Sequence, residues 1–184
     1  LILFSPEEKT LSNGKNHQRS MYDPTAGTAG MLISAKNYLN DLNPKIELHL
    51  AGQELKKSSI ALGQADLLMQ GVDDINILKQ GNTLTDDKFA DTYFDYIASN
   101  PPYGSSWKSI VSLIHDLQSI NDERYAHGLP PVSDGQMLFM MHVVSKLKEP
   151  TENSRGGRGF VVTNGSPLFT GDPCSGPDSI RQYI

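Results

Sequence analysis

The four residues Asn100-Pro101-Pro102-Tyr103 place an amide, two ring-locked backbone positions and an aromatic face in direct succession. Proline fixes its own φ, offers no N–H, and pushes the residue before it into an extended conformation. The turn therefore presents the Asn100 side-chain oxygen and the Pro101 carbonyl as rigid neutral acceptors, with the Tyr103 ring beside them. Two such acceptors suit the two protons of an exocyclic amine on a flat ring, and engaging both draws the nitrogen lone pair out of conjugation. The expected chemistry is methyl transfer to a planar amine, adenine in DNA foremost, with Tyr103 stacking on a base drawn out of the duplex. The plainer alternative is a strand ended by prolines next to a stray aromatic. The ordered coincidence of apolar run, turn and ring weighs against it.

Three further clusters have chemical content. In Asp23-Pro24-Thr25-Ala26-Gly27-Thr28-Ala29-Gly30 an acid is followed by small residues that open a helix, a pattern that lets a ligand approach the backbone. It departs from G-x-G-x-x-G, which disfavours a pyrophosphate, and the acid suits a cationic or amino-bearing ligand better. A tight strand-to-helix turn without a ligand is the alternative. Glu54 follows at about the spacing of an acid that accepts both ribose hydroxyls; the alternative is a surface Glu that favours a helix dipole. In Gly81-Asn82-Thr83-Leu84, the Asn82 amide could bond the base of an adenosine ligand, although an Asx turn, a common motif, is the simpler reading of these residues alone.

Other residues carry less. The five histidines show no metal-ligand spacing, so no metal is expected, and His142 is expected to be half-buried or solvent-facing. Asp86, Asp87, Asp91 and Asp95 read as a solvated face. Pro173-Cys174 resembles the nucleophile of cytosine methylation but follows the fifth apolar run, not the fourth, and is read as incidental.

The elements that must position these groups alternate between short apolar runs and helical ones, a pattern of α/β folds with a largely parallel sheet. Strands are expected over residues 19–23, 46–51, 75–78, 93–99 and 160–163. Helices are expected through Met31, Leu32, Ala35 and Leu39, broken at Asn43-Pro44, and over residues 55–69 and 134–148. The last of these is expected to be amphipathic, with Met137, Leu138, Met141, Val144 and Leu147 on its apolar face. Residues 104–133 read as a long, partly helical excursion at a strand's carboxyl end, where such loops are often functional.

At 184 residues the chain suits one sizeable domain. No apolar run approaches the ~20 residues that cross a bilayer, so no membrane partner is expected. A single cysteine excludes an internal disulfide and fits a cytoplasmic location. A net charge of −5 is wrong for a domain that grips nucleic acid alone, because phosphate contacts need clustered Lys and Arg.

The order of these motifs resembles the amino-methyltransferases that use S-adenosylmethionine, and more narrowly the modification (methylase) subunits of type I restriction-modification systems. Supporting matches are Gly63-Gln64-Ala65-Asp66-Leu67-Leu68, Trp107-Lys108, Asp134-Gly135 with Leu138-Phe139, and Asn164-Gly165-Ser166-Pro167-Leu168-Phe169-Thr170-Gly171. The resemblance covers nearly all of the chain from Tyr22 onward. It implies a Rossmann-like S-adenosylmethionine-dependent methyltransferase core, a mostly parallel sheet flanked by helices. It implies cofactor contacts at Asp23, Thr25, Gly27, Thr28, Ala29, Gly30, Glu54, Asn82 and Thr83, and catalysis at Asn100, Pro101, Pro102 and Tyr103. The implied reaction is methylation of adenine N6 in DNA, with a DNA-specificity subunit and a restriction subunit as partners. Delegated sequence reading would account for the acidic charge. The family also has an N-terminal helical region with a Phe-Thr-Pro segment that closes over the cofactor, of which Phe4-Ser5-Pro6 is a faint echo. Residues 1–18 are accordingly expected to be a separate N-terminal segment and 19–184 the catalytic core of a longer protein, incomplete and unable to methylate DNA unaided. The rival readings are an amino-methyltransferase acting on protein glutamine or RNA, and a non-catalytic scaffold.

Overall fold

The computed structural model describes residues 17–152 and 155–184. Among these residues five parallel strands form one sheet in the order β3-β2-β1-β4-β5: β1 His17–Asp23, β2 Ile46–Glu54, β3 Leu78–Gln80, β4 Tyr96–Ser99 and β5 Arg158–Val161. Helix α1 (Gly30–Leu42) joins β1 to β2, and α2 (Lys57–Met69) joins β2 to β3. Between β4 and β5 run α3 (Val111–Ser119) and α4 (Gln136–Ser145), and α5 (Ser166–Phe169) and α6 (Gly176–Tyr183) follow β5. This is the expected α/β class. The chain winds outward from β1 to β3 and then returns to the other side of β1, so the strand order reverses between β1 and β4. In open parallel sheets ligands bind at that reversal, outside the carboxyl ends of the strands.

The two-residue period of a strand divides the core. Met21, Leu50 and Tyr96 pack beneath α1 and α2 with Leu32, Leu39, Ile60, Leu67 and Leu78. Their successors Tyr22, Ala51 and Ile97 face the opposite layer with Phe94 and Val143. A third cluster joins the excursion to α4 and α6 through Leu84, Trp107, Ile114, Tyr125, Met137, Leu138, Met141 and Ile180. Among the described residues no helix is long and apolar enough to cross a membrane. The expectations for Phe4-Ser5-Pro6 and most of the 1–18 segment lie outside the described residues.

Several boundaries differ from the sequence-based expectations. Strand β2 continues to Glu54, because β3 pairs with its last three residues, Gly52↔Leu78 to Glu54↔Gln80. Residues 75–77 form a 3-10 turn and β3 begins only at Leu78. Strand β4 begins at Tyr96, since Phe94 makes only an isolated bridge to Leu147. Strand β5 starts at Arg158, two residues early, with Gly159 inside it; a Cβ there would stand 2.7 Å from Val143 Cγ1, so the glycine lets the strand lie against α4.

Helix α4 is shorter than expected and largely enclosed on both sides. His142 is fully buried, not solvent-facing, with Nε2 3.3 Å from the Tyr22 hydroxyl. Burial pushes its imidazole down to about 3 despite the opposing pull of Asp87, so it is neutral at ordinary pH.

The expected solvated acidic face holds for Asp86 and Asp91, which are exposed, and is corrected for Asp87 and Asp95. Lys146, just after α4, pairs with Asp87 at 2.6 Å, and both side chains are almost fully enclosed. Its Nζ also donates to the carbonyls of Phe89 and Ala90. Burial alone would raise the Asp87 carboxyl, but the Lys146 hydrogen bond and charge hold it below the usual carboxylate range. Asp95 is half-buried, accepting from Ser20 and Lys148. Removing one member of a buried pair costs more than the pair contributes. Lys146→Met is expected to lose about 3 kcal/mol or more, read as a lower urea midpoint at unchanged slope. An unchanged midpoint would show the pair to be dispensable.

Candidate active site

The carboxyl ends of β1, β2, β3 and β4 converge on a cleft of about 350 Å³. Its walls include Pro24 and Thr25 after β1, Glu54, Leu55 and Lys56 after β2, Gly81, Asn82 and Thr83 after β3, and Asn100 and Pro102 after β4, with Phe139 from α4. The volume falls within the range of small-molecule sites. The structure thus gathers Thr25, Glu54, Asn82, Thr83, Asn100 and Pro102 from the residues named by sequence.

The turn after β1 is built by local chemistry. Asp23 is buried, and its Oδ1 accepts the Thr25 N–H at 2.9 Å and the Thr25 hydroxyl at 3.2 Å. Gly27 adopts φ +54°, which glycine tolerates, and its N–H donates to Glu54 Oε2 at 2.9 Å. Ala29 also takes a left-handed conformation, φ 64°, as it caps α1, and is fully buried. Thr28 and Gly30 are exposed at the start of that helix, outside the cleft walls.

Glu54 performs a structural task as well as lining the cleft. Its other oxygen accepts the Lys56 N–H at 2.8 Å, so one carboxylate holds both the β1 turn and the entry to α2. Asn82 makes an Asx turn, Oδ1 accepting the Leu84 N–H at 3.1 Å, and still lines the cleft. The Thr83 hydroxyl donates to the Pro24 carbonyl at 2.6 Å. Gln53, fully buried, holds the same loop from below, donating to Asp86 O and accepting from Lys88 N. A glutamine one residue before Glu54 in an otherwise apolar stretch was the sequence signal for that role.

One hydroxyl joins the two halves of the cleft. Thr25 Oγ1 lies 3.0 Å from the hydroxyl of buried Ser99 and accepts the Asn100 N–H at 3.1 Å. The β1 turn and the β4 turn are thereby locked to each other. Pro101 is buried, and Asn100, Pro102 and Tyr103 are exposed. The Tyr103 hydroxyl donates a short hydrogen bond to Asn100 Oδ1. The stacking role expected of Tyr103 therefore coexists with a contact that already occupies one lone pair of the amide oxygen. Next to β4, the stretch after β5 is anchored by buried Gln136, whose amide bonds both the N–H and the Oδ1 of Asn164. Beyond it Leu168 and Phe169 are exposed.

Electrostatics favour a cationic ligand beside Asp23. Burial pushes its carboxyl up to about 7, against the Thr25 hydrogen bonds that lower it, and the Glu54 charge adds to the rise. Its Oδ2 is buried and has no hydrogen-bond partner. An orphaned carboxylate oxygen behind a cleft wall fits a group that brings positive charge, such as a sulfonium or an ammonium.

Comparison with known proteins gives a consistent picture. The family described as N-6 DNA Methylase matches residues 9–184. The type I restriction enzyme MjaIX methylase subunit of Methanocaldococcus jannaschii is 28% identical over 152 residues, covering 80% of this chain and 25% of that protein. The EcoKI methylase subunit of Escherichia coli is 30% identical over 165 residues, covering 81% of this chain and 28% of its own length. Among solved structures, the type I restriction-modification methyltransferase subunit from Streptococcus thermophilus superposes with a TM-score of 0.73 at 25% identity, over 98% of this chain and 38% of that one. The chain spans about a quarter of the length of these curated relatives.

Proposed function

This chain belongs to the N-6 DNA Methylase family, and from that premise we propose that its protein transfers a methyl group from S-adenosylmethionine to the exocyclic N6 of adenine in DNA. The observation that carries the proposal is the Thr25 hydroxyl, which locks the turn beside Asp23 to the N–H of Asn100. A cation-favouring wall and an amine-accepting turn are thereby held at one cleft. Residues 19–184 form the catalytic core on this reading.

Bound S-adenosylmethionine would supply a methyl group on a sulfonium sulfur, with a neutral thioether as the leaving group. The chain's own residues orient the partners. Glu54 in the wall and Asp23 buried behind it would supply the counter-charge, while Asn82 and Thr83 would face the nucleoside end. Asn100 Oδ1 and the Pro101 carbonyl would accept the two amine protons and so leave the nitrogen lone pair free for the methyl group that the bound cofactor would supply. One amine proton then leaves to solvent. Tyr103 must give up or share its bond to Asn100 Oδ1 as the amine arrives. Positioning and amine polarisation carry the rate, and no covalent enzyme intermediate is needed. The likeness to type I methylase subunits makes DNA-specificity and restriction subunits the proposed partners, and their supplying DNA grip and target choice would fit the net charge of −5.

The test is methylation by the full-length protein with its partner subunits and labelled cofactor, offered duplex DNA, RNA and protein. Label is expected in N6-methyladenine released from the DNA. Label confined to RNA or protein overturns the DNA reading, and a full-length complex that neither labels any substrate nor binds the cofactor is a scaffold.

A further inference from the structure

The loop that carries Asn82 and Thr83 leaves β3, a three-residue strand at the sheet edge, and cannot be held in place by that strand alone. Besides Gln53 and the bond from Thr83 to Pro24, two side chains from the excursion between β4 and α4 reach it. Arg124 Nη1 donates to the Thr83 carbonyl at 3.1 Å. The hydroxyl of Tyr125 donates to the next carbonyl, Leu84 O, at 2.6 Å. Both residues are buried, in a 3-10 turn, Glu123–Tyr125, that follows Asp122.

The donors are themselves fixed. The Asp122 carboxylate accepts Arg124 Nε at 2.9 Å and Nη2 at 2.7 Å in a two-pronged pair, and it also accepts the Arg124 N–H at the start of the turn. Gln118 donates to the Tyr125 carbonyl at 2.9 Å. Leu84 lies in the same apolar cluster as Tyr125. A planar guanidinium locked by a carboxylate keeps its remaining N–H in one direction. Neither donor lines the cleft; each acts through the backbone of the loop that does.

We propose that Arg124 and Tyr125 are positioning residues that set the affinity of the cleft for S-adenosylmethionine by holding the carbonyls of Thr83 and Leu84. The excursion then governs cofactor affinity through this loop, while the amine-binding turn at Asn100 keeps its separate anchor on Thr25. The inference rests on the cleft being the S-adenosylmethionine site.

The test uses the full-length subunit in its complex. Tyr125→Phe removes one oxygen and keeps the ring in its cluster; Arg124→Lys keeps the charge and loses the fork. Each is expected to raise the Kd and KM for S-adenosylmethionine about tenfold, about 1.4 kcal/mol, with kcat at saturating cofactor and KM for DNA within about twofold. Amide exchange of residues 81–88 without cofactor is expected to quicken by about the same factor as the loop loosens. A merely structural role would lower kcat and the melting temperature together without this split. Wild-type cofactor affinity and loop protection in both variants overturn the inference while leaving the proposed function intact. A wild-type complex that gives no heat with S-adenosylmethionine overturns the proposed function, and the cofactor half of this inference with it.

Discussion

Asn100→Ala is expected to lower kcat for DNA methylation by about 10³-fold, the scale of losing one preorganised hydrogen-bonding group at a reacting centre. Cofactor affinity should stay within about twofold, since Asn100 meets the β1 turn through its backbone N–H, which alanine retains. Stability should change by no more than about 0.5 kcal/mol, as for other exposed side chains. The informative companion is Tyr103→Phe. It removes the hydroxyl that donates to Asn100 Oδ1 but keeps the stacking face, so methylation is expected to remain within a few-fold of wild type. The measurement is single-turnover methylation at saturating cofactor. Folded Asn100→Ala protein that methylates at the wild-type rate would remove Asn100 from the mechanism.

Asp23→Asn is expected to separate stability from cofactor binding. The Asp23 carboxyl stands near pH 7 in the folded chain against an ordinary value of 3.8, chiefly through burial. Between those values the folded state holds a proton that the unfolded state has lost, so unfolding free energy falls as pH rises. The favourable contribution is complete below pH about 4 and gone above about 7, a swing of the order of 4 kcal/mol at ~1.4 kcal/mol per pH unit. Asn carries no such swing. At pH 8 the variant is expected to be more stable than wild type by a few kcal/mol, and its stability profile flatter from pH 4 to 8.

A cationic ligand beside Asp23 reverses the balance by favouring the carboxylate. Binding at pH 6 should therefore release a proton from the wild-type protein. Calorimetric heats would then differ between buffers of different ionisation enthalpy. Asp23→Asn should lose that buffer dependence and bind S-adenosylmethionine about 30-fold more weakly, the scale of one hydrogen bond to a charged group. Buffer-independent heats and unchanged affinity would rule out Asp23 as the counter-charge.

The parts of the site that were legible in the sequence are those whose chemistry is local. Two prolines after an apolar run dictate the turn at Asn100 wherever it sits, and an acid followed by small residues dictates the turn at Asp23. The Asx turn at Asn82 and the left-handed Gly27 are of the same kind. The legible parts of the fold are likewise the long periodic ones, α1 and α2, while the short strands β3 and β5 shifted because their limits are set by neighbours. The enclosure of His142 could not be read, since its helix is covered on the side that sequence spacing leaves polar. Nor could the Asp87–Lys146 pair, whose members look like ordinary surface charges until the loop and α4 pack together.

By itself the sequence determined the cast of residues and their order along the chain. That order sufficed to bring Thr25, Glu54, Asn82, Thr83, Asn100 and Pro102 to one cleft, because parallel strands joined by helical crossovers bring their carboxyl ends to one edge of the sheet. Only the tertiary structure decided how those ends are coupled. The bonds from Asn100 to Thr25, from Glu54 to Gly27 and from Arg124 to Thr83 span 75, 27 and 41 residues. A hydrogen bond forms within a few tenths of an ångström or not at all. No local propensity sets such a distance; the packing of the layers beneath does.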